Sequence, residues 1–438
     1  MNHFISITLG IKDKNIKFSE KVETKKYRGQ NALFYYGELT YTPNICDLCG
    51  TKNVNHSVIK NGKKKSRLTI PKISERPAYL VLEKQRFYCK NCDGYFTAKT
   101  NIVNEYSHIS NQTRLSVLNK ATQIRSQKSI SESCSVASTT VSRMINHAAN
   151  QIAQTPFSVL PEHLMMDEFK SVKDVSGKMS FIYADAVTHR IVDILPDRRL
   201  RELKKHFYKY PLKERKRVKS VSIDMYEPYM SLVKELFPNA NIIIDRFHII
   251  QSLNRALNMA RVSVMNMFRN MNRPLYNKFK TFWRLVLKPY EQLNAFEYKS
   301  TRLFKEWKTT KGIVDYLLDI DNDLFNTHHC ANALRHALKH NNSESFMEIL
   351  YSIEMKEVAP KMQPVLRTLK RHESMILNTI ESPSITNGPL EGINNKIKLI
   401  KRVSFGYRNF DNLRNRIILC TRLFASNPKK EIKQLFAA

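Results

Sequence analysis

The sequence has no apolar run that approaches the ~20 residues of a membrane span. Its first residues, MNHFISITLGIKDK, lack the basic start, long apolar centre and small-residue cleavage site of a secretory signal. We therefore expect a cytoplasmic protein with no membrane partner. Acidic residues are also few, with 39 Asp and Glu against 72 Lys and Arg, so the formal net charge is +33. This basic excess predicts a polyanion partner, most often nucleic acid, and a solvated basic surface is the alternative.

Cysteine is sparse too, and its odd count of seven argues against a disulfide framework in a reducing compartment. Four of the seven lie in two CxxC pairs, each followed closely by a glycine: Cys46, Cys49, Cys89 and Cys92. Two facing turns of this kind bring four thiolates into a tetrahedron, which suits one structural Zn²⁺. The pattern predicts a zinc ribbon in which Asn61-Gly62 forms a two-residue hairpin turn. Four unrelated buried thiols are the alternative.

Two features near the ribbon indicate contact with nucleic acid. Three lysines of the ribbon spacer are expected to touch phosphate, namely Lys63, Lys64 and Lys65. Residues 111–150 have helical periodicity with a short turn, which predicts a helix-turn-helix. The first turn of its second helix would face base edges with Ser138, Thr139, Thr140 and Arg143. Any three-helix domain gives a similar pattern, so a purely structural role is the alternative.

The next part of the chain has the periodicity of a sheet. Three extended stretches predict an antiparallel meander: 164–169, 181–187 and 190–195. A helix over 201–210 and a basic run follow, and residues 221–248 then predict strand, helix and strand. The two strands end in Asp224 and Asp245. Strands joined by a helix usually lie parallel with their carboxyl ends on one edge, so we expect these two carboxylates to lie near one another.

Three acidic residues stand out as candidates for chemistry: Asp167 on the first strand, Asp224 after the fourth, and Glu391 in the first turn of a late helix. An unpaired charge inside a sheet is costly, and a cluster of like charges costs more unless cations occupy it. Two divalent ions about 4 Å apart would stabilise such a cluster and supply phosphoryl-transfer chemistry. Separate helix caps and salt bridges are the alternative.

Residues 251–380 contain no pattern that predicts a strand, and Leu, Met, Phe and Ala recur there at helical spacing. We expect an all-helical insertion between the last strand of the sheet and the tail. Both tryptophans, Trp283 and Trp307, lie in this insertion. Core packing is the commonest role of such aromatic residues.

Taken in order, these segments resemble a known family over nearly the whole chain. The ribbon, the helical pair, MMDEF, SIDMYEPY, IIIDRFHI and the tail NGPLEGINNKIKLIKRVSFGYRNFDNLRNRI are similar to the DDE transposases of bacterial insertion sequences, specifically the ISL3 group. The tail and the DRFH segment are the most specific parts. The resemblance implies an α/β fold: a ribonuclease-H-like mixed sheet with a large all-helical insertion, preceded by a zinc ribbon and a helix-turn-helix domain.

The resemblance also implies the catalytic residues. Asp167, Asp224 and Glu391 would be the catalytic acids and would hold two Mg²⁺ ions, or Mn²⁺. Asp245 and His248 match a (Cys/Asp)-x-x-His element of related transposases. His248 would orient a phosphate, and bracing of the sheet is the alternative. Glu168 directly follows Asp167, but strand alternation is expected to put the two on opposite faces.

The implied function is binding of the element's terminal inverted repeats, cleavage that frees a 3′-hydroxyl, and attack of that hydroxyl on target DNA. We expect a dimer that binds double-stranded DNA in the bacterial cytoplasm, associated with the nucleoid. Further DNA contacts are expected from Arg215, Lys216, Arg217, Asn395, Lys398 and Arg402. The rival functions are a DNA-binding regulator domesticated from a transposase and a metal-dependent nuclease on the same fold.

Five segments are expected along the chain. They are an N-terminal region with the ribbon, a helix-turn-helix domain, the first part of the catalytic core, the helical insertion, and the last part of the core with its basic tail. Their predicted bounds are 1–97, 98–155, 156–250, 251–380 and 381–438.

Overall fold

The computed structural model of the chain describes residues 2–152, 157–421 and 423. These residues belong to two compact units, and neither unit is continuous in sequence. The first unit draws on 1–154, 172–174 and 395–438, and the second draws on 155–171 and 175–394. Within the part of the chain that is described, none of the helices has the length and apolar character that a membrane crossing requires.

The first unit contains a five-stranded sheet, preceded by helix α1 (Asn2–Leu9). Its strands are β1 (Ile16–Tyr27), β2 (Gln30–Leu39), β3 (Val58–Ile73), β4 (Arg76–Cys89) and β5 (Tyr95–Thr97). They lie in the order β1-β2-β4-β3, and β5 pairs with β4. β2 and β4 are parallel, whereas the other pairs are antiparallel. Alternate residues of a strand point to one face, and Leu68, Leu80 and Leu82 are fully buried there.

The predicted hairpin turn at Asn61-Gly62 is wrong. β3 continues through both residues, and Gly62 lies with φ +70° where the pairing of β3 with β4 shifts register. A glycine with positive φ is typical of such a bulge. The chain reverses instead at Ser74-Glu75, where both residues have positive φ, as the tight hairpin turn requires. The longer pairing buries Leu68 against β4, and this packing outweighs the local preference of Asn-Gly.

Three helices complete this part of the first unit: α2 (Asn111–Ala121), α3 (Gln127–Cys134) and α4 (Ser138–Ile152). Ser110 and Ser126 cap the first two helices through their hydroxyl groups. Ser135 adopts a left-handed backbone conformation that ends α3 and turns the chain toward α4. The buried residues at their centre include Val117, Ile130, Val141 and Ile145. Two helices joined by a short turn are therefore present, while their assignment to the helix-turn-helix class stays a prediction.

The second unit contains a five-stranded mixed sheet. Its strands are β6 (His163–Lys170), β7 (Met179–Asp185), β8 (Ile191–Leu195), β9 (Ser220–Ile223) and β10 (Asn241–Ile244). β6, β7 and β8 pair as the predicted antiparallel meander, and β9 and β10 add in parallel on the other side of β6. The order β10-β9-β6-β7-β8 puts β6 in the centre, where Leu164, Met165 and Met166 are buried.

Three helices connect the strands of this sheet: α5 (Leu200–Phe207), α6 (Leu212–Arg217) and α7 (Glu227–Leu236). The single helix predicted over 201–210 is shorter than expected, and Pro211 caps a second helix after it. Arg215 on that helix is buried, and its guanidinium donates to the backbone oxygens of Tyr210 and Leu236. The predicted DNA contact of Arg215 does not fit this position, because its hydrogen-bonding groups hold the protein's own backbone.

The insertion contains eight α-helices: α8 (Arg246–Met271), α9 (Arg273–Thr281), α10 (Trp283–Leu287), α11 (Thr310–Leu318), α12 (Asn322–Lys339), α13 (Ser343–Ser352), α14 (Gln363–Arg371) and α15 (Glu373–Glu381). Every residue of 251–380 is described, and none lies in a sheet strand, although one isolated bridge joins Lys299 and Lys308. The predicted helical character of this segment is therefore confirmed, while its role as an insertion domain stays a prediction. Trp283 and Trp307 are 39% and 65% exposed, so core packing does not explain them.

Two helices end the described chain: α16 (Gly388–Val403) and α17 (Phe410–Cys420). α17 belongs to the first unit, where Arg416 is fully buried and donates to the backbone oxygens of Gln123 and Arg125. Asn146 of α4 also hydrogen-bonds to α17. The predicted segment 381–438 thus divides between the two units, and its last helix joins the three-helix cluster.

Candidate active site

Asp167 lies on β6, the central strand of the mixed sheet. Its Oδ1 accepts a hydrogen bond of 2.7 Å from the backbone N–H of Glu168, and its Oδ2 accepts one of 2.7 Å from Asn394 Nδ2. Burial is the main cause that raises the pKa of Asp167 to about 7, and the Asp224 carboxylate adds to the effect. The ionised form of this carboxyl group is therefore disfavoured unless a cation lies beside it.

Glu168, the other acid of this strand, is already paired. Its carboxylate forms an ion pair with Arg198 and accepts a hydrogen bond from the hydroxyl of Tyr229. The expected separation of Glu168 and Asp167 onto opposite faces does not keep Glu168 away from the site, because both residues border the same cavity. The ion pair nevertheless distinguishes them, since the charge of Glu168 is compensated by the protein itself.

Asp224, Asp245 and His248 form the tightest cluster of the site. Asp224 directly follows β9, and its Oδ1 lies 3.0 Å from Nε2 of His248. Asp245 directly follows β10 and caps α8 by accepting from the backbone N–H of Phe247. The three residues offer ligand atoms that all lie within 4.8 Å of one another. The prediction that Asp224 and Asp245 lie close together is confirmed, because the parallel strands β9 and β10 end at the same edge.

The titration behaviour of this cluster follows from its charges. The hydrogen bond to Asp224 raises the pKa of His248, and the charges of Asp245 and Asp167 act in the same direction. Burial raises the pKa of Asp245, and repulsion from Asp224 and Glu391 adds to it. Carboxylates that repel one another in a partly buried site are stabilised by a bound cation.

Glu391, the third predicted acid, lies in the first turn of α16 and is exposed. The negative charge of Glu391 helps to raise the pKa of Asp245. Among the described residues, the group within 4.8 Å consists of Asp224, Asp245 and His248, and both Glu391 and Asp167 lie outside it. The fold therefore brings the three predicted acids to one neighbourhood, with Asp245 and His248 among them.

A cavity of about 600 Å³ opens beside these acids. Asp167, Asp224 and His248 line one part of it. Three methionines and Glu168 also line it, together with six cationic, aromatic or polar residues: Arg198, Arg255, Tyr226, Tyr229, Gln251 and Ser252. The sequence analysis assigned none of these six a role, because nothing local distinguishes them from other surface residues. Carboxylates opposite guanidinium groups can bind a divalent cation together with a phosphate.

The donor set of the site fits Mg²⁺ or Mn²⁺. Carboxylate oxygens are the ligands that these ions prefer. The raised pKa values of Asp167 and Asp245 reflect the burial and repulsion that a bound cation would relieve.

The four cysteines of the first unit form a second candidate metal centre. Their sulfur atoms all lie within 4.8 Å of one another: Cys46, Cys49, Cys89 and Cys92. The sulfur of Cys46 is 3.8 Å from that of Cys92, and the sulfur of Cys49 is 3.9 Å from that of Cys89. These separations agree with a tetrahedron of thiolates around Zn²⁺ at about 2.3 Å. The two predicted CxxC turns therefore face each other.

The predicted DNA-contacting residues lie on several surfaces. Lys63 pairs with Glu38 at 2.9 Å and Lys65 pairs with Glu83 at 3.2 Å, whereas Lys64 lies opposite Lys84 on the neighbouring strand. The remaining candidates are exposed, except for the partly buried Thr140: Ser138, Thr139, Arg143, Lys216, Arg217, Asn395, Lys398 and Arg402. Asn395, Lys398 and Arg402 recur at helical spacing on α16.

A further group with possible metal ligands lies in the helical insertion. Glu291, His336 and His340 have ligand atoms within 4.8 Å of one another, and all three are exposed. Lys339 pairs with Glu291 at 2.6 Å. The carboxylate of this group therefore already has a cationic partner.

Comparison with known proteins matches two family models and two relatives to this chain. A family model described as transposase, for the DDE enzymes of the ISL3 group, matches residues 164–417. A second model, described as the zinc-finger of transposase IS204/IS1001/IS1096/IS1165, matches residues 42–92. The transposase for insertion sequence element IS1001 of Bordetella parapertussis is 22% identical over 397 residues, which cover 89% of this chain and 91% of that protein. An ATP-dependent protease of Lactococcus lactis subsp. lactis is 37% identical over 84 residues, which cover 19% of this chain and 26% of that protein.

Proposed function

Since this chain belongs to the ISL3 family of transposases, with a zinc ribbon of the family's own type, we propose that it binds the terminal inverted repeats of its insertion sequence and catalyses metal-dependent strand cleavage and strand transfer. The observation that carries the proposal is the group of acids at the edge of the mixed sheet. Asp224, Asp245 and His248 lie within ligand distance of one another, and the charges of Asp167 and Glu391 act on the same group.

The proposed fold of the second unit is ribonuclease-H-like. Three features support it: an antiparallel meander, two further parallel strands on the other side of β6, and a helical insertion between β10 and α16. Two of the proposed acids come from strands of this sheet or directly after them, and the third comes from the helix after the insertion.

Asp167, Asp224 and Glu391 are proposed to hold two Mg²⁺ ions, or Mn²⁺. The bound metals would activate the attacking water and stabilise the leaving oxygen of the phosphodiester. His248 Nε2 donates to Asp224 Oδ1 when the ring carries a proton there, which keeps that carboxylate oriented. Arg255 and Arg198, on the cavity wall, are suited to hold the phosphate.

Recognition of the element ends is assigned to the first unit. The exposed first turn of α4 offers Ser138, Thr139 and Arg143 for base or phosphate contacts, and the ribbon offers Lys64. The net charge of +33 supports a DNA partner. We propose that the active form is a dimer on double-stranded DNA, in the bacterial cytoplasm and associated with the nucleoid.

The experiment is a strand-cleavage and strand-transfer assay on DNA that carries the element ends. We expect wild-type protein with Mg²⁺ to free 3′-hydroxyl ends and join them to target DNA. Asp224→Asn should abolish both steps and leave binding of the ends intact. Asp193→Asn, which removes a charge from β8 of the same sheet, is the matched control and should remain active.

The outcomes separate the rivals. Sequence-specific binding without cleavage by wild-type protein would indicate a domesticated regulator. Cleavage without joining would indicate a nuclease, and cleavage by Asp224→Asn at the wild-type rate would contradict the proposed acid site.

A further inference from the structure

Two buried asparagines connect α16 to β6. Asn387, just before α16, is 3% exposed, and its Nδ2 donates to the backbone oxygen of Met166 at 3.0 Å. Asn394, on α16, is 8% exposed, and its Nδ2 donates to Asp167 Oδ2 at 2.7 Å and to the backbone oxygen of Glu168 at 3.3 Å. These bonds reach three consecutive residues of the central strand, so the start of α16 is held in register with β6.

The orientation of the Asn394 amide follows from its partners. The backbone oxygen of Glu168 can only accept, and Asp167 Oδ2 accepts when that carboxylate is ionised, so the NH₂ group of the amide is the group that donates to both. Asn394 Oδ1 is buried and has no hydrogen-bond partner in the part of the chain that is described. A buried acceptor without a partner is unfavourable, and turning the amide over would lose both bonds to β6. The side chain is therefore held in place by Asp167.

These contacts restrict the Asp167 carboxylate as well. One of its oxygens accepts from the backbone of Glu168 and the other accepts from Asn394. Each oxygen keeps further acceptor capacity, while rotation of the group would break at least one bond. Outer partners of this kind orient the ligands of metal ions in proteins.

The same helix carries Glu391. Glu391 and Asn394 are three residues apart on α16, so they lie on neighbouring positions of one face. The backbone N–H of Glu391 donates to the backbone oxygen of Asn387 at 3.1 Å. A contact that fixes Asn387 and Asn394 on β6 therefore also fixes how far Glu391 stands from Asp167.

We propose that Asn394 is a positioning residue that orients Asp167 for metal binding, and that Asn387 holds the start of α16 so that Glu391 reaches the same site. The identity of the ligand as a divalent metal rests on the proposed function. The contacts themselves do not depend on it.

The test is direct binding of Mn²⁺, followed by the paramagnetic resonance of free Mn²⁺, to the full-length protein with its zinc and without DNA. The Mn²⁺ binding that is lost in the Asp167→Asn variant is the binding assigned to this site. Asn394→Leu keeps the approximate size of the side chain and removes both donated bonds. We expect it to bind Mn²⁺ about 10–100-fold more weakly at this site. Asn387→Leu should weaken Mn²⁺ binding less than Asn394→Leu does, because it displaces Glu391 but leaves Asp167 paired with Asn394.

Asn378→Leu is the matched control. Asn378 Nδ2 also donates to a backbone oxygen of this sheet, that of Ile242 on β10, at 3.3 Å. Unlike the bond from Asn394, this bond does not reach an acid. We expect Asn378→Leu to bind Mn²⁺ within about twofold of wild type, since its bond leaves the ligands of the site untouched. A tenfold loss in this control would overturn the assignment to Asn394, because any lost amide bond would then have the same effect.

Wild-type Mn²⁺ affinity in a folded Asn394→Leu protein would also overturn the inference. If Asn394→Leu unfolds below the assay temperature, Asn394→Ser is measured in its place. We expect the same weakening of Mn²⁺ binding, and wild-type affinity in this variant would equally overturn the inference. Failure of the proposed function is distinguishable, since wild-type protein that binds Mn²⁺ through Asp167 and cleaves no DNA would contradict only that function.

Discussion

The cysteine site of the first sheet and the acid site of the second sheet differ in how their ligands are brought together. The four cysteines come from two short motifs in tight turns, and their sulfur atoms are already 3.8–3.9 Å apart across the site. The acids come from separate elements, from Asp167 on β6 to Glu391 on α16. They repel one another, and Asp167 has a pKa of about 7, chiefly because it is buried.

The comparison indicates two ways to build a metal centre. Cys46 and Cys89 are buried in the core of the first sheet, whereas Cys49 and Cys92 are exposed, so the metal itself is expected to hold the outer half of each turn. The strands beside the acid site are buried through their apolar residues. The sheet therefore keeps the acids in place in spite of the repulsion between their charges. We therefore expect loss of metal to unfold the first site and to leave the second one folded.

Removal of zinc should have the largest effect. Structural zinc domains usually unfold without their metal, so a chelator should make the two cysteine turns accessible to protease while the mixed sheet stays protected. Cys49→Ser should lower the zinc content from about one per chain to none, by metal analysis. Cys330→Ala removes a buried cysteine of the helical insertion, and this variant should keep the zinc of the ribbon. Retention of zinc by Cys49→Ser would refute the ribbon as the metal centre.

Loss of an acid should abolish chemistry without unfolding. Asp167→Asn and Glu391→Gln should each lower the cleavage rate on the order of 10³-fold or more, because the acids act as a unit. For the same reason, the double variant should be hardly slower than either single one. Circular dichroism should find all three variants folded. If the two losses multiplied, the acids would act independently, and the proposed shared metal site would be wrong.

The stability of the second unit should depend on pH through Asp167. Its pKa is raised from 3.8 in the unfolded chain to about 7 in the fold, so the folded state binds the proton more tightly. Stability is therefore highest below pH 4 as far as this group is concerned, and it falls as the pH rises toward 7. Without divalent metal, Asp167→Asn should be more stable than wild type at pH 8 by about 2–4 kcal/mol.

Thermal melting at several pH values measures this difference. It should shrink as the pH falls toward 5, and Mg²⁺ should reduce it at pH 8 by stabilising the wild-type carboxylate. An Asp167→Asn protein that is less stable than wild type at pH 8 would mean that the carboxylate is satisfied without a cation.

The smallest effect should come from the lysines of the ribbon. Lys64 lies beside Lys84, whereas Lys63 pairs with Glu38. Lys64→Gln should lower the slope of log affinity against log salt by about 0.9, the value for one phosphate contact. Lys63→Gln should change the slope less, because its charge is shared with an acid. Fluorescence anisotropy on element-end DNA at several salt concentrations measures both, and equal slopes for the two variants would contradict the distinction.

Much of the architecture follows from local pattern. The CxxC spacing predicted the facing cysteines, the period of two predicted the meander of β6 to β8, and the strand-helix-strand pattern predicted that Asp224 and Asp245 meet. Each of these depends on residues close in sequence or on the handedness of a crossover. The family resemblance added the link between these acids and Glu391, which lies beyond the helical insertion.

Other features were beyond such reasoning because they depend on distant partners. Arg215 sits in a basic run, yet it is buried on the backbone oxygens of Tyr210 and Leu236. The Asn-Gly turn was mispredicted because the pairing of β3 with β4 outweighs it. The exposure of Trp283 and Trp307 is equally invisible to periodicity, since the sequence does not reveal which helix face meets another.

The sequence by itself determined which residues have the chemistry of the two centres: four cysteines in pairs, and carboxylates within a strand, directly after a strand and at the start of a helix. Only the tertiary structure decided which amide hydrogen-bonds to the acid of the central strand. Asn394 and Asp167 are separated by 227 positions and meet at 2.7 Å. Their contact arises because α16 returns to the central strand after the whole insertion, and no local preference of either residue encodes that return.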